Sequence, residues 1–362
     1  MNKTIDLQLN YPIVDGLGKL LKSTMEQALS DMADPIPVCK AGGDEEDRAV
    51  GAKWLSQPDY PLTFKNVFIG TGGHNSLITA LLSARLINKV IATDEFTYSN
   101  FKSIAELLGL KIIPCAADEQ GMMPSSLAEA CKTAAVDAVY LMPTIHNPLG
   151  TVMPLPRREE IIAVARNKNL LIIEDDAYGF LADDILPSFF HLAPERSFYI
   201  YSFSKPLAQG IKTSYLLAPD LYAEQVIETS RLTGSTASTL LVATLRKLIT
   251  SGALRSVIDA KKTEGSLRQW KATSLLSDYK VLGHKNGWHF WIPLPPSVQS
   301  ARLGNILLER GVAVVSSNKF AVDETNHTQG IRVALGGEPD FDRVLEGIGI
   351  IREALLTHLI PA

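Results

Sequence analysis

Cysteine is scarce: the 362 residues hold three, Cys39, Cys115 and Cys131. An odd count without paired spacing excludes a disulfide framework and a Cys-based zinc site, and it suits a reducing compartment. Small core residues are their expected role. Long apolar runs are missing as well, because no stretch reaches the roughly 18 uninterrupted apolar residues needed to cross a bilayer. Met1 to Asp15 mixes Asn, Lys, Asp and Gln through what an export signal would keep apolar. No membrane role is expected, and the cytoplasm is the expected location. Lys and Arg gather into no stripe, and the formal net charge is -4, so nucleic acid is not an expected partner. Seven histidines show no H-E-x-x-H pairing, and no metal is expected. Internal repeats and low-complexity tracts are absent too.

What remains is an ordinary globular composition, 46% hydrophobic and 20% charged, in a chain long enough for two lobes around one large sheet. From about residue 66 short apolar runs alternate with helix-like segments. The runs are Val67 to Ile69, Lys89 to Ala92, Lys111 to Pro114, Ala138 to Met142, Leu170 to Ile173, Ser197 to Tyr201 and Ser214 to Leu217. Each is too uniformly apolar for a one-faced sheet, so the expected body is α/β, a mostly parallel seven-stranded sheet buried between helices. After about Thr250 a long helical stretch, Leu254 to Leu276, leads into strand-like runs at Trp288 to Pro293, Val312 to Val315 and Ile331 to Leu335. That change predicts a smaller α+β domain. The expected division is an arm over residues 1–40 that packs on the small domain or the cleft, a large domain over 41–253 and a small domain over 254–362. The acidic run Asp44-Glu45-Glu46-Asp47 reads as the opening of a helix, where the dipole favours negative charge.

In an open α/β sheet ligands bind outside the carboxyl ends of the strands. Three such ends draw attention. Gly70-Thr71-Gly72-Gly73-His74-Asn75-Ser76 precedes a helix expected to start near Asn75, and its glycines free backbone N–H groups to approach an anion. Ile172 to Tyr178 delivers carboxylates and a phenol; a carboxylate at a buried strand end needs a partner. Tyr201-Ser202-Phe203-Ser204-Lys205 places a lysine behind two hydroxyls. An ordinary lysine, of pKa about 10.4, is neutral at pH 7 only about once in 2500 molecules, so a nucleophilic one must be desolvated or face another cation. Taken singly, these segments also read as a plain turn, a helix cap and a solvated lysine. Taken in order, they are what a phosphorylated pyridine aldehyde requires: a phosphate cradle, an acid for the ring nitrogen and an amine for the carbonyl.

With these motifs in this order the chain resembles the PLP-dependent fold-type I enzymes, specifically the class I/II aminotransferases near the aminoadipate and kynurenine aminotransferases. It is similar as well to the aminotransferase-like domain of MocR-type regulators, without their winged helix. The resemblance runs from about residue 40 to the C-terminus. It implies pyridoxal 5′-phosphate as cofactor, Lys205 as the Schiff-base lysine, Asp175 as partner of the pyridine nitrogen, and Asn147 and Tyr178 as donors to the phenolic oxygen. Asn147 comes from His146-Asn147-Pro148-Leu149-Gly150, which matches the family's Gln-Asn-Pro-Thr-Gly. Phe96-Thr97-Tyr98-Ser99-Asn100 looks like the family's Leu-Thr-Tyr-Pro-Gly, which makes Tyr98 the ring-stacking candidate. The phosphate falls to the backbone N–H groups of Gly73 and His74, to Ser202 and to Lys212, with Gly72 and Ser204 also among the cofactor-binding residues. The segment Gly330 to Gly336 resembles the family's late arginine strand, implying that Arg332 takes the substrate α-carboxylate, with Asn147 beside it.

The chain departs from the family at three places. His74 stands where Gln is frequent, Lys212 where arginine is usual, and Pro37 to Lys40 offers no tyrosine for a neighbouring subunit's phosphate. Lysine is a point charge without the bidentate fork, so a looser grip on the phosphate is expected. The implied function is transfer of an amino group from an amino acid to a 2-oxo acid, in a homodimer. Other PLP chemistry, lyase or racemase, and a non-catalytic PLP-binding sensor are the alternatives.

Overall fold

The computed structural model describes residues 4–34, 38–325 and 327–359. All seven apolar runs form strands of one sheet: β1 Val67–Gly70, β2 Val90–Asp94, β3 Lys111–Cys115, β4 Ala138–Leu141, β5 Leu171–Asp175, β6 Ser197–Ser202 and β7 Ser214–Leu217. Their order across the sheet is β1-β7-β6-β5-β4-β2-β3. β7 runs antiparallel to both neighbours and the remaining pairs are parallel. Apolar residues on both faces are explained by burial on both faces: β1, β4, β6 and β7 are buried throughout, β2 and β5 but for a half-buried first residue, and only the edge strand β3 has exposed residues. Register sets one row of functional positions, because Ser214 pairs with Gly70 on one side and Ser202 on the other, and Ile200 pairs with Asp175.

Four antiparallel strands build the second sheet, β8 Leu282–Gly283, β9 His289–Pro293, β10 Val315–Ser316 and β11 Gly330–Ala334, in the order β8-β9-β11-β10. The single strand expected over Val312 to Val315 is two. Val312–Ala313 pairs with a short N-terminal strand, Ile5–Asp6, whereas Val315–Ser316 pairs with β11. The chain turns between two partners here, a choice the local pattern does not encode. The N-terminal residues continue along this sheet, with Leu7 O accepting from Ala334 N at 2.8 Å. Gly336 and Gly337 make that approach possible, since a Cβ on either would stand 2.1 Å from Tyr11 O or 2.5 Å from Asp6 O. The acidic run opens a helix, Glu45–Leu55, with Glu45, Glu46 and Asp47 in its first turn. The long helix is Ala253–Ser274. Among the described residues no helix is long and apolar enough to cross a membrane.

Candidate active site

The carboxyl ends of β1, β5 and β6 and the loops after β2 and β4 converge on one cavity. Eleven of the twelve sequence candidates line it: Gly72, Gly73, His74, Tyr98, Asn147, Asp175, Tyr178, Ser202, Ser204, Lys205 and Lys212. The twelfth, Arg332 on β11, lies just behind and donates from Nη1 to Asn147 Oδ1 at 2.9 Å. Its Nη2 donates to Gln8 O, while Nε is buried without a partner.

The glycine turn is shorter than expected. The helix starts at Gly73, not near Asn75, and runs to Ser83. Only Gly72 adopts the left-handed region, φ 103, and it hands the chain from strand to helix in one residue. A Cβ on Gly73 would crowd that of Ser202 at 3.0 Å, so a side chain there requires Ser202 to give way. Glycine backbone, the first turn of a helix, Ser202, Ser204 and Lys212 thus line the same cavity, with Gly73 beside Ser202 and Gly72 beside Lys212. His74 Nε2 shares a hydrogen bond with the Tyr98 hydroxyl at 2.7 Å, and Asn100 Nδ2 donates to that hydroxyl at 3.1 Å.

In the same cavity Asp175 ends β5, buried, and Tyr140 Oη donates to its Oδ2 at 2.9 Å. Burial pushes this carboxyl up to about 6, while the Tyr140 bond and the Lys205 charge hold it down. Lys205 Nζ donates to Asn10 O at 2.7 Å and sits 3.3 Å from the centroid of the Tyr11 ring. Burial first and the Arg332 guanidinium second bring its amine down to about 7. A large fraction of Lys205 is therefore neutral at neutral pH, the condition an amine nucleophile needs.

Several contributors escaped the sequence. Gln8, Asn10 and Tyr11 act from the N-terminal arm, two of them through backbone carbonyls that no side-chain pattern marks. Tyr140 is hidden inside the apolar run of β4, although a lone tyrosine in a doubly buried strand is a signal that its hydroxyl has a partner. His289, on β9, is fully buried. Its Nε2 reaches the His146 carbonyl at 3.1 Å and its Nδ1 meets Asn10 Nδ2 at 2.8 Å. That carbonyl can only accept, so Nε2 carries the proton and Nδ1 accepts from Asn10. The missing-tyrosine position extends to Pro37, which lies outside the described residues.

The profile of the family described as "Aminotransferase class I and II" matches residues 40–348. The chain belongs to the class I and II aminotransferases. These are PLP-dependent enzymes of fold type I that move an amino group between an amino acid and a 2-oxo acid. The chain is 26% identical over 316 residues to an uncharacterized HTH-type transcriptional regulator, YdeF, of Bacillus subtilis, covering 87% of this chain and 68% of the regulator. It is also 26% identical over 292 residues to the 2-aminoadipate transaminase of Thermus thermophilus, covering 75% of this chain and 70% of that enzyme. It thus spans about two thirds of each relative's length. The structure of the α-aminoadipate aminotransferase LysN from Thermus thermophilus, complexed with N-(5′-phosphopyridoxyl)-L-leucine, shares the fold. It superposes with a TM-score of 0.85 at 21% identity over 98% of this chain and 93% of that one.

The cavity of this chain fits the family's cofactor. Glycine backbone so close to Ser202 that a Cβ on Gly73 would crowd it suits a phosphate, the buried Asp175 carboxylate needs a cation such as a protonated ring nitrogen, and the desolvated Lys205 amine lines the same cavity.

Proposed function

We propose that this chain transaminates amino acids with 2-oxo acids through pyridoxal phosphate held on Lys205. The observation that carries the reading is a buried amine and a buried carboxylate in one cavity with a glycine-lined anion cradle. Backbone N–H groups of Gly73 and His74, the hydroxyls of Ser202 and Ser204, and Lys212 would hold the phosphate. Tyr98 would lie on the ring. Asn147 and Tyr178 would donate to its phenolic oxygen, and the Lys205 amine would take its aldehyde carbon. Bound there, the cofactor supplies a conjugated cation that accepts the electron pair left when the substrate's α-C–H bond breaks. Asp175 keeps that cation protonated, and the Tyr140 hydroxyl keeps Asp175 aimed and ionised. Displaced from the aldehyde carbon by the incoming substrate amine, Lys205 Nζ would be free, when neutral, to accept the α-proton as general base and to give it back as general acid. Arg332 exchanges the Gln8 carbonyl for the substrate carboxylate, which brings the α-carbon within reach of Lys205.

A pH dependence follows from the Lys205 environment. Cofactor capture by the apo protein should rise with pH to about 7, where the amine loses its proton, and then level off. An exposed lysine keeps gaining rate toward about pH 10.4. A stopped-flow absorbance series from pH 5 to 10 distinguishes them, and a rate still climbing at pH 9 contradicts the assignment. Substitution Arg332→Lys keeps the charge but loses the fork. Since a charged hydrogen bond contributes about 1.5–3 kcal/mol, KM for amino acid and oxo acid alike should rise about 10- to 100-fold. Steady-state kinetics with both substrates measures it.

A non-catalytic sensor is the second reading, supported by the similarity to the regulator noted above. A panel of amino acids mixed with the cofactor-loaded protein separates the two: a lasting change in the bound cofactor's absorbance with one of them marks turnover, and no change with any marks a sensor. The proposed assembly is a homodimer, the arrangement expected of this fold, and sedimentation measures it. The proposed location is the cytoplasm, in keeping with three unbridged cysteines. A domain division at 40/41 and 253/254 is proposed likewise, supported by the seven-stranded sheet lying within 67–217 and the four-stranded sheet within 282–334.

A further inference from the structure

Lys261 is a lysine where a helix should have none. The buried face of Ala253–Ser274 includes the positions Leu254, Ile258, Lys261, Gly265, Arg268 and Ala272, an alternation of four- and three-residue steps that defines its buried stripe. Lys261 stands in the middle of that stripe with none of its surface exposed. Burial alone drives its amine down to about 7, with no carboxylate among the described residues to hold it up. A leucine or methionine would avoid the cost of burying this group.

Its partners say what the lysine does there. Nζ donates to the carbonyl of Lys205 at 2.9 Å and to that of Leu207 at 2.7 Å. Those carbonyls belong to an irregular turn, Phe203 to Leu207, in which Leu207 N to Phe203 O at 2.9 Å is the regular bond. Buried carbonyls in such a turn need donors from outside it. The donor is itself anchored. Trp288 Nε1 donates to Lys261 O at 3.1 Å, and Gly265 lets the helix close on this segment, since a Cβ there would stand 2.6 Å from Trp288 Nε1 and 2.7 Å from Asn286 O. Further along, Arg268 Nη1 donates to Leu335 O at 2.9 Å, next to the end of β11. One helix therefore ties the Lys205 turn to the strand that carries Arg332.

We propose that Lys261 is a positioning residue that fixes the backbone of the Lys205 turn from behind, so that the Lys205 amine meets its carbonyl partner in one orientation. The proposal rests on the assignment of Lys205 made above.

The test compares apo wild type with Lys261→Met, Lys261→Gln and Lys205→Ala. Each is mixed with pyridoxal 5′-phosphate, capture is followed by absorbance, and folding is followed by circular dichroism and thermal melting. Misplacement of a reacting group by a fraction of a turn costs about tenfold to a hundredfold, and Lys261→Met should capture more slowly by that factor with its secondary structure intact. Lys261→Gln keeps amide hydrogens to donate and should recover most of the rate. Capture by Lys261→Met at the wild-type rate overturns the proposal, as does a loss in Lys261→Gln as deep as in Lys261→Met. If Lys261→Met does not fold, Lys261→Gln decides alone: near-wild-type capture supports the proposal, and a folded protein slowed more than about tenfold overturns it. Capture by Lys205→Ala as fast as wild type removes the Lys205 assignment and this proposal together. A normal Lys205→Ala defect beside a normal Lys261→Met rate removes only the proposal.

Discussion

Lys205→Ala, saturated with pyridoxal phosphate, is expected to transaminate at least about 10²–10⁴-fold more slowly than wild type, the usual contribution of a positioned acid–base group. Among the described residues the cavity contains no substitute. The three phenols that line the cavity, Tyr11, Tyr98 and Tyr178, are all pushed above the ordinary tyrosine value by burial, so none offers a base near neutrality. His74 is held below the ordinary histidine value, first by burial and then by Lys212 and Lys205, but its ring is engaged with the Tyr98 hydroxyl. Lys212 faces the cradle, and Lys261 is committed to two carbonyls. Single-turnover kinetics with an amino acid measures the loss, and a variant within about tenfold of wild type removes Lys205 from the proton transfer.

Asp175→Asn should cost about 10²–10³-fold in turnover, the scale of losing one preorganised electrostatic partner. The change isolates charge, because asparagine keeps the shape and its amide oxygen can still accept from Tyr140. At pH 7 a carboxyl brought to about 6 by burial is mainly ionised, and a cation across the cavity pulls it further toward the carboxylate. Without that charge the ring nitrogen loses the partner that keeps it protonated, and the ring withdraws electrons less well. Cofactor should still bind, since the phosphate cradle and Lys205 are untouched. Equal turnover in the two proteins contradicts the role given to Asp175.

The large sheet was legible because its strands are buried on both faces: a run such as Ile172-Ile173 has no amphipathic alternative, and its neighbours supply the helices. The small sheet was legible only in outline. Leu282–Gly283 is too short to carry a pattern, and nothing local tells Val312–Ala313 to pair with Ile5–Asp6 while Val315–Ser316 pairs elsewhere. At the site, side chains placed at strand ends could be read in order, from Gly72 to Lys205. Groups that act through the backbone could not, as Asn10 and Gln8 show. Lys261 escaped for a different reason. In a helix that mixes charged and apolar residues a lysine looks solvated until the three- and four-residue spacing of its buried neighbours is set beside it.

The most direct measurement is covalent. Cofactor-loaded protein is reduced with borohydride, digested and mapped by mass spectrometry. A pyridoxyl group on the peptide containing Lys205, and on no other lysine, is the predicted result. Label on Lys212 or Lys261, or no label on a protein shown to hold the cofactor, would contradict the account.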